Sequence, residues 1–478
     1  MGITETAGNV ISVFNDYAWY VAFVALIGLG LYFTLKLKGV QIRDAGRAYR
    51  IAFSRKKIGK SEHVTSFEAF CVGLGTRIGV GNIAGVATAI VAGGPGAIFW
   101  MWIFALIGAA TSFMECVLGQ IFKEKKSDGL YHGGPAYYIK NGLKMKHYAA
   151  ILAIMVIALY GIGFIGVQSS NATNALVGAF DFDNNQLIFT IVITLAAAAV
   201  ILGGIKRVAT ASAKIVPIMA LAWLAFATVT VISNYVNIPN AFVMIFNGAF
   251  NLQSFVGGGM GAAIMMGLKR GVFSNEAGIG SIPNVASAAD VPHPVKQGLI
   301  QSLSSLIDTF VICTATAFVV LTFGDFASIQ AIGLNGAPLV QEILKHSVLG
   351  SIGPALLSIF MLFFAFTSII GYYSMCEANT RFLTTKPWAE YFLRIMIIVV
   401  VFVSCMITLQ LMWDLCDALM AIMAVLNMVA VLMLSKYAFE AYADYKAQLD
   451  KGVEEPVLDT AVFSGDVSGI TCWNNGKA

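Results

Sequence analysis

Residues 73–82 read GLGTRIGVGN and place four glycines, an arginine and an asparagine within an otherwise apolar segment, 66–92. Each glycine weakens a helix by about 1 kcal/mol relative to alanine, so the segment is predicted to unwind near Gly75–Gly81. Irregular backbone is tolerated at membrane depth only where it is buried in protein or lines a cavity. Free carbonyls before the break would suit a cation or an ammonium group, and free N–H groups after it would suit a carboxylate. The alternative is that the glycines only allow close helix packing in the small-xxx-small pattern.

The composition is that of a protein that lies mostly within a membrane. Of 478 residues, 58% are hydrophobic and 12% are charged, whereas a soluble domain carries about 25% charged residues. Apolar stretches of about 20 residues, long enough to cross a bilayer, recur along the chain. They predict an all-α polytopic membrane protein with eleven spans, at 18–37, 66–92, 95–121, 147–170, 186–203, 211–234, 253–268, 298–323, 352–376, 388–408 and 411–436. Membrane lipid is an expected partner; nucleic acid is not, because no basic cluster alternates with aromatic residues.

Lysine and arginine are concentrated in alternate connectors, and this predicts the orientation of the chain. The first connector carries nine of them, from Lys36 to Lys60, and the third carries six, from Lys123 to Lys146. The even-numbered connectors carry almost none, and 324–351 contains Lys345 alone. We therefore expect a multi-pass protein of the bacterial inner membrane with its N-terminus outside and its C-terminus in the cytoplasm. The first apolar segment lacks a preceding basic region, so it is expected to be a retained span.

The number of spans predicts an internal repeat. Eleven spans divide into one peripheral span and two sets of five, and two sets of five enter the membrane from opposite sides, as in many secondary transporters. Spans 2 and 7 are then equivalent, and a second break is predicted at Gly257–Gly261 of the glycine-rich span 7. The predicted divisions are 1–65 for the first span and basic connector, 66–234 and 235–436 for the inverted repeats, and 437–478 for a cytoplasmic tail.

Five blocks of sequence resemble signatures of the alanine or glycine:cation symporter family. They are GTRIGVGNIAGVATAIVAGGPGAIFWMW (75–102), GGPAYYI (133–139), GGIKRVA (203–209), GVFSNEAGIGS (271–281) and IDTFVICTATA (307–317). The resemblance extends over nearly the whole chain, from LYFTLKLKGVQIR (31–43) to span 11. This family is similar in fold to the LeuT-type transporters, with a 5+5 inverted repeat. The resemblance implies sodium-coupled import of alanine or glycine by alternating access, with no cofactor and no enzymatic reaction.

The resemblance also implies a sodium site. The carbonyls of Gly75 and Ile78 would bind the ion together with the hydroxyls of Thr367 and Ser368 in span 9. Such hard oxygen ligands suit a hard cation. The alternative for both hydroxyls is a hydrogen bond to the backbone one turn back in their own helix, which is common for such residues in membrane helices.

Substrate contacts are implied at both breaks and in spans 4 and 9. The Arg77 carbonyl would face the ammonium group of an amino acid, and a pocket closed by Phe164, Met260 and Tyr372 would admit only a short side chain. The Asn82 side chain is considered for a second cation. The complete set of implied substrate contacts is Arg77, Val80, Gly81, Asn82, Phe164, Gln168, Gly257, Gly259, Met260 and Tyr372.

Three ionisable residues lie within predicted spans: Arg77, Glu115 and Asp308. Charge within a span is costly and usually functional. We expect the three to neutralise one another, either as structural pairs or as a gate on the cytoplasmic side, and both roles remain open. A proton relay on Glu115 or Asp308 is the main alternative to coupling by sodium.

Other functions are less compatible with the sequence. Channels commonly form symmetric pores from several subunits, whereas an internal repeat in one chain favours a transporter that functions as a monomer. The spans contain no paired catalytic aspartates, HExxH or GxSxG, so an intramembrane enzyme is not expected. Within transporters, the alternative is a proton-coupled or exchange carrier of a larger neutral amino acid such as glutamine.

Overall fold

The computed structural model describes residues 3–53, 65–126, 129–202, 205–250 and 259–473. These residues are mostly helical. A short antiparallel ribbon pairs β1 (Glu124–Lys125) with β2 (Tyr131–His132), with Glu124 opposite His132.

The helices are numbered in chain order. They are α1 (Ile3–Lys36), α2 (Val40–Arg43), α3 (Ala45–Ala52), α4 (Ser66–Arg77), α5 (Ala84–Gly93), α6 (Gly96–Ile121), α7 (Pro135–Tyr138), α8 (Lys146–Ala158), α9 (Ile165–Ala179), α10 (Asn185–Ile201), α11 (Ile205–Ser233), α12 (Ile238–Phe250), α13 (Gly259–Asn275), α14 (Ile282–Ala286), α15 (Pro294–Ile307), α16 (Thr314–Leu321), α17 (Phe326–Ala331), α18 (Gly336–Lys345), α19 (Ile352–Leu383), α20 (Pro387–Met406) and α21 (Leu409–Asp450). Single π-helical turns at Leu159–Phe164 and Asp308–Cys313 join α8 to α9 and α15 to α16, and a third follows α7 at Ile139–Leu143. Short 3₁₀ turns occupy Val80–Asn82, Tyr235–Asn237 and Thr460–Val462.

Among the described residues, eight helices are long and apolar enough to cross a membrane. They correspond to predicted spans 1, 3, 4, 6, 8, 9, 10 and 11. Span 5 corresponds to α10 and span 7 to α13, each of 17 residues, and span 2 is divided between α4 and α5. The prediction of an all-α multi-pass membrane protein is confirmed.

The predicted break in span 2 is confirmed. The helix α4 begins with a capping box in which Thr65 and Glu68 bond reciprocally, and it ends at Arg77. Ile78 has a ψ of 86° and Gly79 is extended, so the chain leaves the helix here, and a 3₁₀ turn leads into α5. Glycines on either side lower the cost of this interruption, because each weakens the competing continuous helix.

The break in span 7 lies further along the chain than predicted. The helix α13 runs without interruption from Gly259 to Asn275, and the chain is irregular from Glu276 to Ser281. Gly278 and Gly280 have φ values of +88° and +72°, in a region that L side chains rarely adopt. Of the glycines predicted to break the helix, Gly259 and Gly261 lie within the continuous helix α13, so no interruption is seen at these two positions. Gly257 and Gly258 lie outside the described ranges.

The two breaks meet inside the bundle. The helix α6 packs against α13 and α15, α19 packs against α9 and α4, and α1 lies along α21 and α6. The 3₁₀ turn Val80–Asn82 contacts α9, α13 and the π turn Asp308–Cys313. Two interrupted helices therefore face each other across a buried centre.

The C-terminal segment covers one end of the bundle, here called the tail side. The helix α21 continues past residue 437, where the tail was predicted to begin, and ends at Asp450. Beyond it, the Leu458 N–H donates to Pro292 O at 3.0 Å and the Trp473 indole donates to Gln120 O at 3.0 Å. The opposite end of the bundle contains Gly93 and the start of α13.

Candidate functional site

The guanidinium of Arg77 connects the two breaks. It is fully buried, and its Nε donates to the carbonyl of Asn275, the last residue of α13, at 2.7 Å. Nη1 donates to Gln301 O at 3.0 Å, and Nη2 donates to Ser112 Oγ at 2.8 Å. A positive charge is favourable where a helix ends in free carbonyls. Arg77 therefore caps α13 and holds it against α4, α6 and α15.

The carboxylate of Asp308 receives hydrogen bonds from both interrupted helices. Asn82 Nδ2 donates to Oδ1 at 2.6 Å, and Ser274 Oγ donates to Oδ2 at 2.6 Å. Asn82 Oδ1 accepts from the Gly79 N–H at 2.9 Å, which fixes the extended residue of the break. The Asn82 side chain, which was considered for a second cation, is used in this network.

The carboxylate of Glu115 holds the irregular backbone of span 7. Its two oxygens accept from the N–H groups of Gly278 at 3.0 Å and Gly280 at 2.9 Å, and Asn427 donates to it from α21. Hydrogen bonds of this kind offset part of the cost of burying a carboxyl group. Glu115 therefore fixes the two left-handed glycines that the break requires.

The expected direct pairing of Arg77 with Glu115 and Asp308 is not observed. Among the described residues, no ion pair within 4.0 Å joins Arg77 to either carboxylate. Each group instead bonds to backbone or neutral side chains, because each stabilises a different segment of the two breaks. Their charges still act on one another through the buried surroundings.

Ser368 reaches the predicted sodium ligands. Its hydroxyl donates to Gly75 O at 3.1 Å and lies 3.5 Å from Thr76 O. Ile78 follows the end of α4, and its N–H bonds to Leu74 O at 2.8 Å. The structure therefore places Ser368 on the carbonyls that end the first half of span 2.

Thr367 does not reach the same carbonyls. Its hydroxyl donates to Phe363 O and Phe364 O within α19, both at 3.1 Å. This is the local backbone bond that was the alternative for both hydroxyls. The adjacent residues Thr367 and Ser368 thus make different contacts, and their roles in sodium binding stay predictions.

The backbone of the break in span 2 is closely packed at Gly79, against Gln168, and at Gly81, against Phe273. Gln168 Oε1 accepts from the Val80 N–H at 3.0 Å. A methyl group on Gly79 would collide with Gln168 Nε2, and one on Gly81 would lie 2.5 Å from the ring of Phe273. The close packing leaves no room for a side chain at either glycine.

Aromatic rings close the space above the break in span 2. Phe164 and Phe273 stack in parallel with centroids 4.6 Å apart and an interplanar angle of 2°. Tyr160 and Tyr372 lie 4.9 Å and 5.1 Å from Phe164, and Trp413 lies 4.6 Å from Phe273. Phe164 and Tyr372 thus lie together as predicted, with Phe273 in the place expected for Met260.

Gly259 and Met260, predicted from the early part of span 7 to contact substrate, do not lie at the buried centre. Gly259 is exposed and Met260 half-buried, at the end of α13 away from its break. Nearby, Ala262 and Met266 approach Gly93, at the far end of α5. Gly257 lies outside the described residues. The predicted contacts of Gly259 and Met260 with substrate are therefore not supported, because a full helix separates them from Asn82.

Several residues at this centre were not predicted from the sequence. Phe273, Ser274 and Glu276 belong to the block GVFSNEAGIGS, and its acidic residue beside two glycines was a usable signal. Arg270 and Asp417 form a buried ion pair, with both side chains 5% exposed, and the Arg270 guanidinium lies 4.3 Å from the Trp413 ring. Both are charges within apolar segments, a pattern that predicts function or pairing.

Charged groups outside the spans organise the tail side. Burial lowers the pKa of Lys123 to about 8. Burial raises the pKa of Glu124, but hydrogen bonds from Lys126, Lys140 and Asn141 outweigh this and hold it at about 2. The hydrogen bonds of Glu124 with Lys126, Lys140 and Asn141 fix the conformation of the connector after α6 on the tail side of the bundle.

Known proteins resemble the chain along its length. A family model described as the sodium:alanine symporter family matches residues 4–460. A probable sodium/glutamine symporter, GlnT of Bacillus subtilis, is 39% identical over 97% of this chain and 96% of its own. The sodium/alanine symporter AgcS of Methanococcus maripaludis is 37% identical over 89% of this chain and 94% of its own. The structure of MhsT in complex with L-phenylalanine has a TM-score of 0.55 and 13% identity, over 80% of this chain and all of MhsT. The likeness to MhsT shows a LeuT-type fold.

Proposed function

Because the chain belongs to the sodium:alanine symporter family, we propose that it imports alanine or glycine together with sodium by alternating access. The observation that carries the proposal is the meeting of two interrupted helices at one buried centre, where Ser368 lies on the Gly75 carbonyl. Irregular backbone at membrane depth provides free polar groups for an ion and a zwitterion.

The sodium site is proposed at the end of α4. The carbonyls of Gly75 and Ile78 and the hydroxyl of Ser368 are hard oxygen ligands of the kind that sodium prefers. Thr367 would join them only after giving up its bonds to Phe363 O and Phe364 O. Ser368 is accordingly the principal side-chain ligand in this proposal.

The substrate carboxylate is proposed to bind at the start of the second half of span 2. The N–H groups near Val80–Asn82 begin a helix, where anions are favoured. The carboxylate would compete with Gln168 Oε1 for the Val80 N–H. Gln168 is therefore proposed to move when the amino acid binds.

The aromatic rings favour a small substrate. Phe164 packs against both Phe273 and Tyr372, and the Phe273 ring lies against the backbone at Gly81. A short side chain requires little rearrangement of these rings, whereas a longer one requires them to separate. Glutamine is the second candidate, because GlnT, of similar length, is named a sodium/glutamine symporter.

The proposed energy source is sufficient for accumulation. Moving one positive charge down a potential of 100 mV releases about 2.3 kcal/mol. A tenfold sodium gradient adds about 1.4 kcal/mol. In the bacterial inner membrane, with the C-terminus in the cytoplasm as proposed from the loop charges, one sodium per amino acid would sustain accumulation of a few hundred-fold.

Uptake of radiolabelled L-alanine into proteoliposomes tests the proposal. We expect accumulation with an inward sodium gradient, none with choline, and competition by unlabelled glycine and serine. Equal uptake in sodium and choline would contradict sodium coupling. Competition by glutamine or leucine but not glycine would replace the small substrate with the larger one.

A further inference from the structure

The segment that follows α21, residues 451–473, folds back over the tail side of the bundle and is here called the strap. Its apolar side chains Leu458, Phe463 and Ile470 are buried and belong to the main hydrophobic core. The Phe463 ring lies 5.7 Å from the ring of Tyr437 in α21. Burial of apolar surface is favourable, so the strap is a docked part of the fold. The site proposed above for sodium and amino acid assigns no role to it.

The strap is bonded to α21. In the last turn of α21, Gln448 Nε2 donates to Val457 O at 2.8 Å and Gln448 Oε1 accepts from the Val457 N–H at 3.0 Å. Further along the strap, the Ser464 N–H donates to the Glu440 carboxylate at 3.2 Å. These bonds lie at both ends of a seven-residue stretch, so a movement of α21 carries the strap with it.

The strap is also bonded to the helices that Arg77 holds together, α4, α6, α13 and α15, here called the Arg77 group. In the first turn of α15, Lys296 forms an ion pair with Glu455. Two residues before α15, Pro292 O accepts from the Leu458 N–H at 3.0 Å. The strap therefore joins the start of α15 to the end of α21.

Trp473 anchors the end of the strap. Its indole N–H donates to Gln120 O near the end of α6 at 3.0 Å, and its ring lies 5.1 Å from the ammonium group of Lys123. The ring also packs against a small buried cluster that α4 shares with the connector before α15. The members of this cluster are Ala69, Ala289 and Val291. Separation of α4 from the connector would therefore remove the surface on which Trp473 packs.

These contacts lie across the route from the tail side to the buried centre. The helix α4 begins on the tail side at Ser66 and ends at Arg77, beside the proposed sodium site. Alternating access is a movement of one group of helices against another around a fixed site. Because the strap is bonded both to α21 and to the Arg77 group, a movement of the two apart on the tail side must break its contacts with one of them.

We propose that the strap holds the tail side of the site closed and must detach from α6 and α15 before the site opens to that side. The proposal rests on the alternating access proposed above and adds a regulatory element to it. The strap then determines how often bound sodium and amino acid are released on the tail side. The step breaks the Lys296–Glu455 ion pair, the hydrogen bonds to Pro292 and Gln120, and the packing of Trp473, and no covalent bond changes.

The direct test fixes the strap in place with a reversible covalent bridge. Lys296→Cys and Glu455→Cys are combined, bridged in detergent with a short bifunctional thiosulfonate, and reconstituted into proteoliposomes. We expect the bridge to reduce sodium-dependent alanine uptake by about tenfold or more, and reduction with dithiothreitol to restore it. Each single variant treated with the same reagent is the control for modification of native cysteines, and it should retain uptake.

The outcomes separate this inference from the proposed symport. Uptake by the bridged protein at the rate measured after reduction would overturn the role of the strap and leave the symport intact. Absence of sodium-dependent uptake by the wild type would reject the symport, and this inference with it.

Alkylation of the native Cys71 reports opening without a transport assay. Cys71 lies in α4 and is fully buried, so N-ethylmaleimide reaches it when α4 separates from its neighbours. Peptide mass spectrometry should show that Trp473→Ala accelerates this alkylation about fivefold or more. The matched control is Trp388→Ala, which removes an exposed indole and should have no effect. The buried Cys405, near the end of the bundle opposite the tail side, is the internal reference.

Two results of the alkylation measurement would contradict the proposal. One is an unchanged rate at Cys71 in both Trp473→Ala and Glu455→Gln, which would show that the strap does not restrain α4. The other is an equal rise at Cys71 and Cys405, which would indicate general loosening of the bundle in place of opening on the tail side.

Discussion

Arg77 Nε donates a 2.7 Å hydrogen bond to the main-chain oxygen of Asn275, 198 residues away. One residue ends the first half of span 2, and the other ends the first half of span 7. The bond joins the two interruptions at the point where each helix stops. A movement of α13 relative to α4 must stretch or break it, so Arg77 is placed to link any change of access to the geometry of both breaks.

Replacing Arg77 with lysine should weaken this connection while keeping the charge. Lysine lacks the planar fork that reaches Asn275, Gln301 and Ser112 simultaneously. Loss of one or two charge-assisted hydrogen bonds should lower the free energy of unfolding by about 3 kcal/mol. Thermal unfolding in detergent measures the effect, with the exposed Arg50→Lys as the control; an equal melting temperature for wild type and Arg77→Lys would refute the role.

Ser368→Ala and Thr367→Ala form a matched pair at the proposed sodium site. Ser368 reaches Gly75 across the bundle, whereas Thr367 bonds within its own helix. We expect Ser368→Ala to raise the sodium concentration for half-maximal alanine uptake about tenfold or more, and Thr367→Ala to have a smaller effect. Sodium titration of uptake separates them, and a larger effect at Thr367 would reverse the assignment of the principal ligand.

Gly81 and Gly85 lie one turn apart and differ in the space around them. A methyl group at Gly81 would lie 2.5 Å from the Phe273 ring, whereas at Gly85 the nearest atoms are 3.8 Å away. Gly81→Ala should therefore reduce alanine uptake by about tenfold or more, and Gly85→Ala should be tolerated. Initial rates at equal protein levels provide the comparison; near-normal transport by Gly81→Ala would show that the aromatic rings do not limit the site.

Stability should fall at mildly acidic pH because of His293 on the tail side. Its Nδ1 accepts from the Val295 N–H at 3.2 Å as the cap of α15, and Nε2 lies 3.2 Å from Asp444. Burial lowers the pKa of His293, although Asp444 opposes the shift. The stabilisation is present above the unfolded value of about 6.5 and is lost as the pH falls through that value toward the lower folded pKa.

His293→Asn checks the assignment of this pH dependence. Asparagine can still cap α15, but it does not titrate. Melting temperatures between pH 7.5 and pH 5.5 should decrease for the wild type and remain nearly constant for the variant. A parallel decrease in both proteins would place the titration elsewhere.

The break in span 2 was predictable because its signal is local. Four glycines with Arg77 and Asn82 in an apolar run conflict with a regular membrane helix, and no tertiary information is needed to see it. In span 7 the prediction followed the densest glycine cluster, at 257–261, and not the observed break at EAGIGS, 276–281. There, an acidic residue and two glycines adopt left-handed backbone, a conformational property that glycine density alone does not predict.

The partners of the buried charges could not be predicted from the sequence. Glu115 bonds to backbone N–H groups more than 160 residues away, and Asp308 bonds to Asn82 and Ser274 rather than to Arg77. Burial of three charges suggested mutual neutralisation, but helix interruptions create free backbone groups that compete for each of them. Ser368 and Thr367 are adjacent hydroxyl residues, and the sequence does not show which of them faces the break. In the structure, the orientation of α19 directs Ser368 towards Gly75 and leaves Thr367 bonded within its own helix.

The most direct test of coupled transport is the entry of radioactive sodium driven by alanine. Proteoliposomes are given equal sodium on both sides, the potential is clamped, and an inward alanine gradient is imposed. Symport at a shared site predicts that alanine accelerates the entry of the labelled sodium into vesicles containing the wild-type protein, and that Ser368→Ala reduces this effect at low sodium concentration. Alanine entry that leaves the sodium flux unchanged would contradict the central claim.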